Sequence, residues 1–193
     1  EYRNQMLSNS KLKTGLPIQL QNNIILNLDK TDEELLSGMK QKHRYNLKKK
    51  KKKGVKVMIE NSEESFQEFL KLHDETAKSQ RYFERSPEYL KTVWNTLKEL
   101  SMDQGKELVK IANVRYNNII VASWMLFLYE ETIYYPYGGS SDQYRNVMAT
   151  YALVWEIIKW GKENGYKHLD FMGVQPDLSD GYSRFKAGFG GKF

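Results

Sequence analysis

Cysteine is missing from this chain, and proline is scarce, with four in 193 residues. The first absence excludes a disulfide framework, a thiolate nucleophile and the cysteine-rich zinc sites, and it fits a reducing compartment. The three histidines, His43, His73 and His168, lack ligand spacing, so no metal site is expected. Long apolar runs are missing too. The longest, "IIVASWMLFLY", is 11 residues, too short to span a membrane as a helix, and reads as a strand. No secretory leader pattern opens the sequence. Acid is missing from one stretch: "KQKHRYNLKKKKKK", Lys40 to Lys53, carries nine Lys or Arg and no Asp or Glu. The net charge of the whole chain is +6, so everything outside that stretch is three units negative. The question of a polyanionic partner belongs to this one segment.

What is present is globular material, 40% apolar and 13% aromatic, in a chain long enough for one substantial core. "NNIILNL" reads as a short strand. Thr31 and Glu34 form a capping box that starts a helix with Leu35, Leu36, Met39 and Leu47 at roughly helical spacing and Gly54 as its stop. The basic run then forms the last turns of that helix, where cations suit the macrodipole. "VKVMI" alternates as a strand. Asn61 and Glu64 read as a second capping box before a stripe of Phe66, Phe69, Leu70, His73 and Ala77. Ser86 caps a further helix with Pro87 at its first position and Leu90, Val93, Trp94 and Leu97 on one face. Asn117-Asn118 and Glu130-Glu131 join three strands into an antiparallel meander. A helix over "VMATYALVWEIIKWGKEN", stopped at Gly165, and the strand "KHLDF" complete a right-handed β-α-β crossover. An irregular tail follows.

This order predicts an α/β protein with a mixed sheet, and it resembles the acyltransferase fold of the GNAT type. Acyl-coenzyme A enzymes of that fold hold a pyrophosphate on a Gly-rich turn at the N-terminus of the crossover helix. Here the position reads "GGSSDQYRNVMATY", with Gly138 and Gly139 early and no glycine in the turn. Coenzyme A is therefore not the expected cofactor.

Three stretches in order, "LDKTDEELLSGMKQKHRYNLKKKKKKGVKV", "YGGSSDQYRNVMATYALVWEIIKWGKENGYKHLDFMG" and "YSRFKAGFGG", resemble the Fem family of aminoacyltransferases, with weaker similarity over "FLKLHDETAKSQRYFERSPEYL". The resemblance covers most of residues 28–191. It implies transfer of an amino acid from aminoacyl-tRNA to an amine on the stem peptide of a lipid-linked or nucleotide-linked peptidoglycan precursor. That reaction needs no metal and no coenzyme A. It implies a bacterial cytoplasmic protein, with peripheral contact at the inner face of the plasma membrane. Whole members carry two GNAT-like domains, so residues 1–54 are expected to be the end of a first and residues 55–193 the second. Ser183 interrupts the family's aromatic-Arg-Phe-Lys run.

A lone lysine in a Gly-rich tail is usually solvated, but the family places its functional lysine at the motif where Lys186 stands. A cation there answers a chemical need: attack on the aminoacyl ester develops negative charge on the carbonyl oxygen. An ammonium about 4 Å away contributes roughly 4 kcal/mol at an effective dielectric of 20, against about 1 in water. Tyr137 is either a packed aromatic or, by resemblance, a second catalytic group facing the acceptor. Arg81 or Arg85 is expected to clamp precursor phosphates, with Arg184 and Tyr182 as further substrate contacts. Asp170, at a strand end, is equally a turn cap or a catalytic carboxylate. Arg44, Lys48, Lys49 and Lys52 are candidate tRNA or phosphate contacts. The same lysine run reads alternatively as a solvated helix end or an attraction to anionic lipid. Two rival functions stay open: an acyl-coenzyme A-dependent N-acyltransferase, and a non-catalytic RNA- or membrane-binding module.

Overall fold

The computed structural model describes residues 20, 22–51, 54–80 and 85–193. Strand β1 (Asn22–Asn27) is followed by helix α1 (Asp32–Gly38) and helix α2 (Gln41–Lys51). Then come β2 (Lys56–Glu60), α3 (Glu63–Gln80), α4 (Pro87–Gln104), β3 (Val109–Tyr116), β4 (Ile119–Tyr129) and β5 (Thr132–Ser140). A 3-10 segment (Asp142–Val147) leads into α5 (Ala149–Glu163), β6 (His168–Val174) and α6 (Gly181–Ala187). The strands form one sheet in the order β1-β6-β5-β4-β3-β2, antiparallel except where β5 and β6 run parallel across the crossover. This is the expected mixed sheet of the GNAT type, meander and crossover included.

The turns form for local reasons. Asn117 and Asn118 both take positive φ, 49° and 63°, as a tight hairpin requires. Ser86 accepts a hydrogen bond from Tyr89 N at 3.2 Å with Pro87 behind it, and Gly165 ends α5 at φ 80°.

Three expectations are corrected. The helix expected from Thr31 to Gly54 is two helices. Met39 leaves the helical conformation at φ −73°, ψ 150°, which turns its side chain into the core, and Lys40 N donates to Gly188 O at 2.9 Å. The break admits the C-terminal segment: a Cβ on Gly190 would stand 2.6 Å from Gly38 O. Second, Ser62 rather than Asn61 caps α3, accepting from Ser65 N at 3.2 Å, while Asn61 Nδ2 donates to Val109 O at 2.9 Å. Third, the Gly-rich tail is not irregular, because residues 181–187 form a helix capped by Asp180.

The two faces of the sheet are covered differently. Helices α3 and α4 cover one, around Phe66, Phe69, Leu90, Trp94, Val109, Ile111 and Met125, with Phe66 and Trp94 stacked at 4.2 Å. Helices α2 and α5 cover the other. Residues from both sides of the expected boundary at 54/55 share that second core: Ile24, Leu26, Leu35, Met39 and Leu47 lie in it with Trp124, Leu153, Ile157 and Phe171. Across the same boundary Lys162 on α5 donates to Asp32 Oδ1 and to Lys30 O, both at 2.7 Å, and β1 pairs with β6.

Candidate active site

Strands β5 and β6 pair only from Thr132–Tyr134 to His168–Asp170 and then part. Past Asp170, β6 stays with β1, reaching Gly173 opposite Asn23. On its other side β5 carries a bulge. Phe127 pairs with Tyr134 and Met125 with Tyr137, so Tyr135 and Pro136 both stand opposite Leu126. Proline donates no ladder hydrogen bond, which is why it sits at such a place. The bulge reverses the alternation of side chains. Tyr135 turns into the α2–α5 core, stacked on Trp124 at 3.4 Å, while Tyr137 turns to the α3–α4 side. Gly138 is needed here, because a Cβ would collide with Trp124 and Tyr135; Gly139 likewise lets α3 approach, with Leu72 O 2.5 Å from where its Cβ would be.

A cleft of about 680 Å³ lies between the start of α5, the 3-10 segment and α6, with Ser141, Arg145, Met148, Thr150, Tyr182 and Phe185 in its wall. Met148 precedes α5 at φ 57°, and no side chain caps that helix. The N-terminal amides of α5 therefore belong to residues that line the cleft.

Below this wall lies Lys186, only 1% exposed. Helix α6 brings it there. Asp180 accepts from Ser183 N at 2.7 Å and from Ser183 Oγ at 2.6 Å, and Ser183 Oγ in turn accepts from Gln175 N at 2.9 Å. The serine that breaks the aromatic run thus ties α6 to the end of β6. Burial works against ionisation of Asp180, but the Ser183 hydrogen bonds outweigh it and hold the carboxyl below its usual range. The Lys186 ammonium donates to Gly173 O at 2.9 Å and stands 4.0 Å from the Tyr182 ring centroid and 5.7 Å from that of Tyr135. Burial lowers its pKa to about 7, against the charges of Asp170 and Asp180, which raise it.

The remaining candidates are placed as follows. Tyr137 lies with Arg85 and Tyr89 on the opposite face from Lys186. Burial, then a hydrogen bond with Tyr89, pushes its phenol up to about 12, with Arg85 pulling the other way; Arg85 also lies over the Tyr89 ring at 5.3 Å. Lys186 and Tyr137 are not neighbours; the tyrosines beside the lysine are Tyr182, at 4.0 Å, and Tyr135, at 5.7 Å. Arg184 is turned to its own loop, donating to Leu178 O at 3.0 Å and to Ser179 O. Arg44 donates to Ser37 O at 3.3 Å and to Met39 O, capping α1, whose last turn has no cation of its own. Lys48 is exposed, and Lys49 lies 5.9 Å from the exposed Tyr45 ring. Asp170 caps a bend: Oδ1 accepts from Met172 N at 2.6 Å, Oδ2 from Asn23 Nδ2 at 2.8 Å, and Met172 takes φ 60°. Arg81 and Lys52 lie outside the described residues. Among the described residues no group of three His, Asp or Glu is arranged to hold a metal ion.

Sequence reasoning missed Tyr135 and Asp180. Pro136 inside a strand was the available signal for the bulge, and Asp180 three residues before Ser183 was the signal for the cap.

A mixed sheet that opens between its two parallel strands, with the crossover helix between them, defines a fold of the GNAT-like class. Within that class the chain belongs to the FemAB family, whose model matches residues 10–103 and 98–193. It is 33% identical over 92 residues to the aminoacyltransferase FemB of Staphylococcus epidermidis, covering 44% of this chain and 22% of that protein. To FemA of the same organism it is 30% identical over 100 residues, covering 49% and 21%. The chain thus covers about a fifth of the curated relatives it matches. Among solved structures it is similar to FemX, with a TM-score of 0.78 at 18% identity over 93% of this chain and 61% of that one. It also resembles the C-terminal domain of a putative lysylphosphatidylglycerol synthetase from Agrobacterium fabrum, with a TM-score of 0.63 at 16% identity over 91% and 58%.

Proposed function

We propose that this chain carries the transferase half of a peptide-bond-forming enzyme, which moves an amino acid from aminoacyl-tRNA to an amine of a peptidoglycan precursor stem peptide. The observation that carries the reading is Lys186: a lysine almost wholly buried, held at Gly173 O under the Tyr182 ring, at the mouth of the opening between β5 and β6. A protein keeps so costly a cation in low-dielectric surroundings where it meets developing negative charge. In the reaction the precursor amine attacks the ester carbonyl. A C–N bond forms, the C–O bond to the terminal ribose breaks, and the proton lost by the amine ends on the leaving ribose oxygen. Lys186 stabilises the oxyanion between those two events, and the uncapped start of α5 receives the phosphates of the RNA end. Lys48 and Lys49, on the outer face of α2, meet the tRNA backbone further out. Arg85 with Tyr89 and Tyr137 forms a second polar group, on the other face, for the acceptor. The setting is the bacterial cytoplasm, at the inner membrane face where a lipid-linked precursor lies; no helix among the described residues is long and apolar enough to cross a membrane.

The test is single-turnover transfer from a pool of charged tRNAs to a nucleotide-linked muropeptide. The expected result is product from the wild type and a fall of at least ~100-fold in Lys186→Ala, the size of a lost oxyanion donor. Equal rates remove Lys186 from the mechanism. Failure of the chain, and of the chain supplemented with the rest of the full-length protein, overturns the transferase reading. Thermal protection by acyl-coenzyme A of about 2.7 kcal/mol at a hundredfold excess over its Kd would put the coenzyme A enzyme in its place.

A further inference from the structure

Helix α6 is seven residues long, too short to hold its own shape in water, yet it sets where the Lys186 ammonium stands. Its first turn is fixed by Asp180. Its last turn is fixed by α2. Helix α2 and the residue before it present two donors to carbonyls at the end of α6: Lys40 N to Gly188 O and His43 Nε2 to Phe185 O, both at 2.9 Å. A carbonyl only accepts, so Nε2 carries the proton and Nδ1, buried with no hydrogen-bond partner, is the lone-pair nitrogen. The imidazole, 5% exposed, is enclosed by three aromatic rings, with centroids at 4.7 Å for Phe189, 5.0 Å for Tyr151 and 5.9 Å for Phe185. Gly188 leaves the space for it, since a Cβ there would enter the His43 ring.

We propose that His43 is a positioning residue for Lys186: its hydrogen bond to Phe185 O clamps the last turn of α6 against α2 and so sets the ammonium at Gly173 O under Tyr182. An apolar side chain of the same size would fill the box between the rings but leave Phe185 O without this donor and the turn free to shift. The surroundings suit a neutral donor. The enclosing rings are apolar, and burial, reinforced by Lys40 and Lys42, lowers the His43 pKa against the effect of Phe185 O. The shift of one short turn matters because a displacement of about 1 Å in a reacting constellation costs as much as 100-fold in rate. The proposal rests on Lys186 being the oxyanion group.

The experiment compares the chain with His43→Leu, which fills the box without a donor, and His43→Gln, whose amide nitrogen reaches the place of Nε2. Two readouts are taken. The first needs no catalysis: the NMR signal of the Lys186 side chain, ¹³C-labelled and assigned by its loss in Lys186→Arg. In the wild type it is expected to be shifted by the Tyr182 ring and to titrate near pH 7. In His43→Leu the ring shift is lost and the midpoint rises by at least ~1 pH unit as the ammonium reaches water; His43→Gln restores both. The second is transfer. His43→Leu lowers kcat at least ~10-fold with KM for either substrate within about 2-fold, and His43→Gln recovers most of it. In a Lys186→Ala background His43→Leu costs nothing more, because the group it positions is already gone.

An unchanged Lys186 signal in His43→Leu overturns the proposal, as does a loss of equal size in the Lys186→Ala background. A displaced signal in a chain that transfers nothing upholds the positioning and sinks the transferase reading instead. If His43→Leu does not fold, His43→Asn, whose amide stops short of Phe185 O, takes its place in each comparison.

Discussion

Helices α2 and α6 make opposite uses of positive charge. The first carries lysines outward: Lys42 and Lys48 are exposed, and Lys49 lies over the exposed Tyr45 ring. The second carries one lysine inward, under a tyrosine, onto a single carbonyl. Many cations in water act together on a large anion, each contributing little and all screened by salt. One cation out of water acts strongly on a single atom and burdens the fold that holds it. The sequence shows only the first kind, because a count of charge does not say where charge is buried.

The comparison is broken most severely at the contact that joins the two helices. Gly188→Ala places a methyl group inside the His43 ring and is expected to destabilise by about 3 kcal/mol, read as a lower denaturant midpoint with unchanged slope. Gly38→Ala, where nothing lies within 4 Å, is expected to be close to neutral. A smaller effect of opposite sign follows from the buried charge. The Lys186 pKa is about 7 in the fold and near its ordinary value in the unfolded chain. The unfolded state therefore binds more protons between those values, so stability rises with pH across that window and the full penalty is felt below pH 7. Lys186→Met should accordingly stabilise at pH 6 by about 2 kcal/mol, the gain shrinking as pH rises toward about 10. A variant less stable at pH 6 than the wild type would show that the ammonium contributes more to the fold than burial takes away.

The same titration sharpens the functional half of the contrast. Above about pH 7 the ratio of the transfer rate in the wild type to that in Lys186→Ala should fall up to tenfold per unit, as the ammonium loses its proton. A flat ratio to pH 9 would mean that the lysine acts uncharged or not at all. The smallest effect belongs to the exposed cations. Lys48→Gln with Lys49→Gln should weaken tRNA binding a few-fold at physiological salt and reduce the salt slope by about 1.5, with thermal stability unchanged. No change of slope would assign both lysines to the solvated surface of the helix.

Much of the fold was legible because its signals are local. Ser86 before Pro87, the paired asparagines at 117 and 118 and Gly165 each state a backbone conformation that holds in any context. The readings that failed depend on a partner far along the chain. The helix from Thr31 breaks at Met39 because Gly188 and Gly190, some 150 residues on, pack into the break. Arg44, one of a row of cations in the sequence, spends its donors on the end of α1. Within the candidate site Lys186 and its neighbour Tyr182 were found by motif, but Tyr135 was not, because strand alternation places Tyr135 and Tyr137 on one face and only the bulge separates them.

The sequence by itself determined the strands, the order of the main elements and the family, since caps, turns and hydrophobic periods are properties of neighbouring residues. The tertiary structure alone decided that Lys186, the cation the motif singled out, is buried. Desolvation is a property of everything that surrounds a group, and the surroundings of Lys186 come from β5, β6 and the start of α6, with the last turn of α6 held by α2: segments that only folding brings together.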